Sequence, residues 1–225
     1  MFQEIYTLLY YFFKSEWVKK ERLVSPLLFA SLVIILFHFI FGEEIARSPS
    51  VFVGEIFLTL ILVLQITLLR QFDIEKEDNV IEHMRASFVS PFSLFCAKFL
   101  LNFLFAFISA TAIFLLTKLV NSHLDFSTQN TSLFFLIVFL FIFSTSSLGS
   151  LVSAVLSSVT GREILFPLLF YPLLVPVLIL SVQTSLMVVV SQLNYNEIST
   201  YLLYLAGISS IYFIVSIMLF CELLT

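Results

Sequence analysis

From Arg70 to Phe88 the chain reads RQFDIEKEDNVIEHMRASF, a charged island between two apolar runs. Eight of its residues carry charge: Arg70, Asp73, Glu75, Lys76, Glu77, Asp78, Glu82 and Arg85. The sequence on both sides is long and apolar. Opposite charges interleaved at helical spacing describe a water-facing helix between two membrane spans, placed to touch something outside the lipid. Asn79-x-x-Glu82 has the form of a capping box, with Asn79 as N-cap and Glu82 reaching back to it. Ile81, Met84 and Phe88 then fall on one apolar face, while Glu82 and Arg85 can stay wet. A membrane protein that gathers its polar chemistry into one such segment reads or drives another protein there.

Composition agrees with that reading. Hydrophobic residues make up 60% of the chain, charged ones 12%, and the mean hydropathy is +1.08. A soluble domain would carry about 25% charged residues. Uncharged intervals run over 23–42, 56–69, 99–117, 126–161, 164–196 and 198–221. A bilayer core takes about 20 apolar residues per helix, so six spans fit, the second reaching full length with Glu55 near an interface. Barrel-type alternation is absent, and backbone groups in lipid must be satisfied internally. The expected fold is an all-α polytopic membrane protein of one domain over 1–225, with six transmembrane helices. An interfacial amphipathic helix over 1–22 and a cytoplasmic coupling segment over 71–90 complete it.

Basic residues set the orientation. Lys14, Lys19, Lys20, Arg22, Arg70, Lys76, Arg85, Lys98 and Arg162 fall on one side, nine in all, against Arg47 and Lys118 on the other. The positive-inside rule puts the nine, and both termini, in the cytoplasm. The start, MFQEIYTLLYYFFKSEW, lacks the basic region and cleavage site of a signal peptide. It reads as an interfacial helix beneath the first span, with Trp17 and the tyrosines at headgroup depth. Cys96 and Cys221 form no C-x-x-C, and no disulfide framework or thiolate metal site is indicated. Nothing suggests nucleic acid as a partner.

Along the chain, Pro26 opens the first span in its first helical turn and Phe41–Gly42 closes it. Pro49 belongs to a short outer loop, and the second span runs from about Val51 to Leu69. Pro91 opens the third, which ends near Leu119. In the fourth, Gly149, Ser153, Ser157 and Gly161 recur every four residues, the small-xxx-small pattern that lets helix backbones approach. That stripe is either packing within the chain or a subunit interface, a second copy of this chain included. Pro167, Pro172 and Pro176 kink or break the fifth span. Its continuation, Ser181 to Ser199, alternates apolar with polar residues and reads as a broken or re-entrant outer segment. The sixth span is about Tyr201 to Leu219.

Candidate chemistry is sparse. None of the five glycines is followed by lysine, so no G-x-x-x-x-G-K-[ST] phosphate loop exists and ATP-driven work needs a separate subunit. His38 is the one mid-span ionisable group: a haem or substrate contact, or an imidazole hydrogen-bonded between helices. His83 belongs to the charged helix. His123 lies in the outer loop, where it meets haem or a partner, or is a plain loop histidine. No two histidines share helical spacing, so no metal site is expected. Glu55, with Arg47 close in sequence, reads as a rim ion pair or a proton-linked carboxylate. Serines lack a placed base or acid, so no catalytic centre is expected.

The pattern Arg70-x-Phe72-x-x-Glu75-x-x-Asp78-Asn79-x-Ile81-Glu82-x-Met84, followed by Pro91 and Lys98, resembles the haem exporter protein B family, CcmB. The run GREILFPLLFYPLLVPVLI, starting at Gly161, is similar to that family's proline-bearing fifth span. The resemblance covers essentially the whole chain and implies an ABC exporter permease-like subunit for c-type cytochrome biogenesis in the bacterial inner membrane. It implies that the charged helix docks in a cleft of a partner ATPase, with Arg70, Glu75, Asp78 and Glu82 shaping the coupling element. Ile81, Met84 and Phe88 would anchor it. The implied partners are the ATPase, which supplies ATP, a haem-handling membrane subunit and a haem chaperone; haem is the implied substrate. The tryptophan-rich haem motif of that other subunit has no counterpart here, since Trp17 is the sole tryptophan. Two alternatives stay open: an exporter permease for lipid, polysaccharide or drug, and a non-transporting assembly subunit that transmits ATPase motion.

Overall fold

The structure is a computed structural model that describes residues 2–19, 21–46, 48–71, 90–120, 128–157, 159–190 and 195–224. Seven helices occupy them: α1 (Phe2–Lys19), α2 (Glu21–Ala46), α3 (Pro49–Leu69), α4 (Pro91–Val120), α5 (Thr128–Leu156), α6 (Arg162–Val189) and α7 (Tyr195–Leu224). No strand occurs among the described residues. Helices α2 to α7 are each long and apolar enough to cross a membrane, which matches the six spans expected. The all-α polytopic architecture follows from hydropathy alone, because only helices and closed barrels satisfy backbone groups in lipid.

Local signals set the ends of several helices. Ser90 caps α4 by accepting a hydrogen bond from the Ser93 N–H at 3.3 Å, and Pro91 fills the first helical position, where no donor is lost. Ser48 does the same for α3, accepting from Val51 N at 3.4 Å, so Pro49 starts the second span and is not an outer-loop residue. Gly42 interrupts α2 with φ 67°, a conformation glycine alone adopts without strain, and ends the first span where expected. At the other end α2 begins at Glu21, so Pro26 sits inside the helix and not in its first turn.

The fifth span departs most from expectation. Helix α6 runs unbroken from Arg162 to Val189 through Pro167, Pro172 and Pro176, and Ser181 to Val189 continue it. Tyr195 to Ser199 are the first turns of α7. Each proline removes one donor, and neighbouring helices stabilise what remains. Tyr212 OH on α7 donates to Leu173 O at 2.8 Å, one residue from the Pro172 carbonyl that Pro176 leaves without its donor. Tyr171 OH reaches Gln65 Oε1 on α3. Of the polar residues of 181–189, Ser181, Thr184 and Ser185 are buried while Gln183 is exposed, and Asn130 Nδ2 on α5 donates to Val188 O at 3.2 Å.

Helix α5 is the hub. It packs on α6, α7, α4 and α3, and most of its span is buried. The apolar core runs from Ala30 and Ile34 of α2 through Phe52, Ile56, Phe57 and Leu60 of α3 to Phe134, Ile137 and Phe141 of α5. A second cluster, Phe95, Phe99, Leu151 and Phe220, joins α4, α5 and α7, with Phe99 and Phe213 centroids 5.0 Å apart. An interhelical hydrogen bond in lipid averages about 0.6 kcal/mol, so shape and aromatic contact hold this bundle more than any single polar link.

Helix α1 lies mainly against α4 and touches α2 weakly, so its place is beside the third span and not beneath the first. Glu4 Oε2 accepts from Ser93 Oγ at 3.1 Å, Phe12 packs on Ala97 and Leu101, and Phe13 stacks on Phe105 at 6.2 Å. These tie points advance together, so α1 runs alongside the first turns of α4 in the same direction. Tyr6, Tyr10 and Tyr11 stay exposed on its outer face; the Trp17 side chain lies outside the described residues.

Candidate functional site: a polar knot at the charged end

The segment 72–89 joins α3 to α4, and its two anchors define one end of the bundle, here the charged end. Glu75, Asp78, Ile81, Glu82, His83, Met84 and Phe88 lie outside the described residues, as do His123 and the side chain of Arg47. The structure places their point of attachment. Arg70 is the exposed C-cap of α3, and its neighbour Gln71 turns inward and is buried.

Around Gln71 the described helices α1, α3, α4 and α5 meet through polar atoms. Lys98, in the second turn of α4, is 1% exposed, and its Nζ donates to Gln71 O at 3.0 Å. The same Nζ stands 4.0 Å from the centroid of the Phe12 ring on α1, a cation–π contact. Asn102 Nδ2, one turn beyond Lys98, donates to Ser150 Oγ on α5 at 3.0 Å, and Gln71 Nε2 approaches the same oxygen at 3.4 Å. Ser153 Oγ, one turn along α5, donates to Leu68 O at 2.6 Å, and that carbonyl also accepts from Gln71 N at 3.2 Å. The last carbonyls of a helix have no partner within it, and here side chains from two other helices supply them. A cation at a helix C-terminus is also favoured by the helix dipole. Glu16, one turn after Phe12 on the same face of α1, is buried as well.

The fourth-span stripe divides. Gly149 lies so close to α3 that a Cβ there would overlap the Leu68 side chain, and Ser153 bonds the Leu68 carbonyl. Both therefore contact another helix of the same chain. Ser157 and Gly161 come after the last residue of α5, Leu156: Ser157 Oγ bonds back to Ala154 O at 2.7 Å, and Gly161 holds a left-handed turn with φ 81°. The every-fourth spacing in sequence thus outlasts the helix, and those two residues form no helix-packing face.

His38 is half-buried on α2, and its Nδ1 is buried without a hydrogen-bond partner among the described residues. Glu55 is 2% exposed, two turns into α3, and Arg47, its expected partner, lies outside the described residues. Among the described residues no group of histidine, cysteine or carboxylate side chains is arranged to hold a metal.

Sequence reasoning passed over the knot. Lys98 entered it as a topology marker and as part of the family pattern, yet Lys98 and Asn102 stand one turn apart in a mostly apolar helix, and that pairing was the available signal.

These features define a class: a multi-pass helical membrane protein whose charged connecting segment starts from a buried, hydrogen-bonded base. The profile of the family described as CcmB protein matches residues 3–221, and the chain belongs to that family. It is accordingly a membrane subunit of the haem-export ABC system of cytochrome c biogenesis and a non-catalytic component of it. Among curated proteins none matches it.

Proposed function

We propose that this subunit couples ATP hydrolysis by a separate ATPase to haem export, or to loading and release of a haem chaperone, through the segment 72–89. It would sit in the bacterial inner membrane with both termini in the cytoplasm, beside the ATPase and a haem-handling membrane subunit. The supporting observation is the base of the segment: Gln71 is buried and bound to α4 through Lys98 and to α5 through Ser150. A lever is useful only when its root is stiff. Here a push on 72–89 meets fixed contacts and not a hinge. Glu75, Asp78 and Glu82, with Arg70, would form its polar face toward the ATPase, and Ile81, Met84 and Phe88 its apolar anchor.

The middle of the bundle bears on what is moved. Phe52, Phe57, Phe134 and Phe141 fill it with close aromatic contacts, Phe57 to Phe141 at 5.1 Å. This favours the reading in which the subunit transmits motion, over passage of haem through the centre of one copy. Haem contacts at His38 or His123 belong to the same proposal and are tested by the haem absorbance of the complex after His38→Ala.

The test is co-purification from membranes with mass spectrometry, on the natural chain and on Glu82→Lys and Met84→Asp. An ATPase should accompany the natural chain, and either variant should abolish nucleotide-dependent function while still inserting. Full function in an inserted variant, or recovery of the natural chain without any ATPase, would remove the coupling reading.

A further inference from the structure

We infer that Lys98 is a positioning residue that locks the root of the 72–89 segment to the third and fourth spans and to α1, so that all four move as one body. The inference rests on the coupling reading above and names the residues through which displacement would enter the bundle.

An ammonium group inside a membrane span is costly unless it is paired, and such residues face the protein interior and bond carbonyls. Lys98 meets both conditions. Its Nζ holds the Gln71 carbonyl at 3.0 Å, the last backbone acceptor before the charged segment, and it sits over the Phe12 ring at 4.0 Å. A lysine in this place does what an apolar side chain cannot: it bonds the backbone at the end of α3, so sliding of α3 past α4 would break a buried, charge-assisted hydrogen bond. Asn102 and Ser150 extend the lock to α5, and Ser153 repeats it one turn further at Leu68 O. Helix α1 is held by two further links, Glu4 to Ser93 and Phe13 to Phe105. The C-terminal turn of α3 therefore has polar links to α4 and α5 and, through the Lys98 ammonium, to α1.

The experiment uses the whole complex in membranes or nanodiscs. Spin labels replace exposed Leu104 on α4 and exposed Leu173 on α6, in a Cys96→Ala, Cys221→Ala background. The distance between them is measured without nucleotide and after trapping the partner with ATP and vanadate. The natural chain should show a nucleotide-dependent shift; Lys98→Met should insert and retain the ATPase but lose the shift, and Lys98→Arg should restore part of it. A purely structural role would lower yield or Tm and leave the shift of the folded fraction intact, so an undiminished shift in Lys98→Met overturns the inference. Should that variant fail to accumulate, Lys98→Gln, which removes the ammonium and shortens the reach to Gln71 O, carries the test, and an undiminished shift there overturns it equally. No shift in the natural chain, with the ATPase bound, would reject the coupling reading itself.

Discussion

Helices α5 and α7 are alike in sequence and unlike in place. Their most apolar stretches are equally hydrophobic, yet most of the one is buried within the chain and little of the other. Each carries a glycine and several serines in a background rich in large aliphatic and aromatic residues. The difference is what those residues meet. On α5, Gly149, Ser150 and Ser153 contact α3 and the knot around Gln71. On α7, Ser209 reaches α5 at Ser144 Oγ, 2.7 Å away, but Gly207 has open space where a Cβ would go, and Ser210 bonds only its own helix at Ala206 O. Apolarity qualifies a helix for the membrane; small and polar residues facing a neighbour qualify it for the centre.

Paired substitutions test that contrast. The largest gap is expected between Phe141→Ala and Leu203→Ala. Phe141 is fully buried against Phe57, whereas Leu203 is 70% exposed. Emptying the core site should cost toward the lower end of the about 3–5 kcal/mol typical of Phe→Ala, because transfer from water drops out in lipid and the cavity term remains. Leu203→Ala should leave thermal stability in detergent unchanged; a loss there would mean that protein, such as a second copy of the chain, covers α7. Next come Gly149→Leu and Gly207→Leu. The first must displace Leu68 and should cost about 1–3 kcal/mol by overpacking, read as a fall in Tm, while the second should be silent. Equal effects would dissolve the contrast. The smallest gap separates Ser153→Ala from Ser210→Ala: loss of the bond to Leu68 O should cost about 0.6 kcal/mol and loss of the local bond nothing measurable. Hydrogen exchange at the α3 C-terminus would sharpen that comparison, rising in Ser153→Ala alone.

The places where sequence reading succeeded share a cause. Pro91 with Ser90, Gly42 and the six apolar runs each act through local chemistry: a cap, a left-handed φ, or a length matched to a bilayer. It faltered where a distant partner intervened. Three prolines signalled a break in α6, but tertiary contacts keep that helix continuous. The every-fourth stripe ran past the end of α5 into a turn, because spacing carries no information about where a helix stops. Helix α1 was legible as amphipathic, but its partner was not, since Phe12 and Phe13 would suit any apolar groove.

Linear information was enough for the membrane class, the number of spans and the charged segment between the second and third of them. The match over residues 3–221 rests on the same linear information. Only the tertiary structure decided which spans lie inside, that α1 follows the third span, and that Lys98 closes on the Gln71 carbonyl. The physical reason lies in the solvent. In water an apolar face must turn inward, so sequence encodes inside and outside; in lipid an apolar face is equally at home against protein or acyl chain. Burial is then set by shape and by a few polar atoms that must find each other, and those pairings exist only in three dimensions.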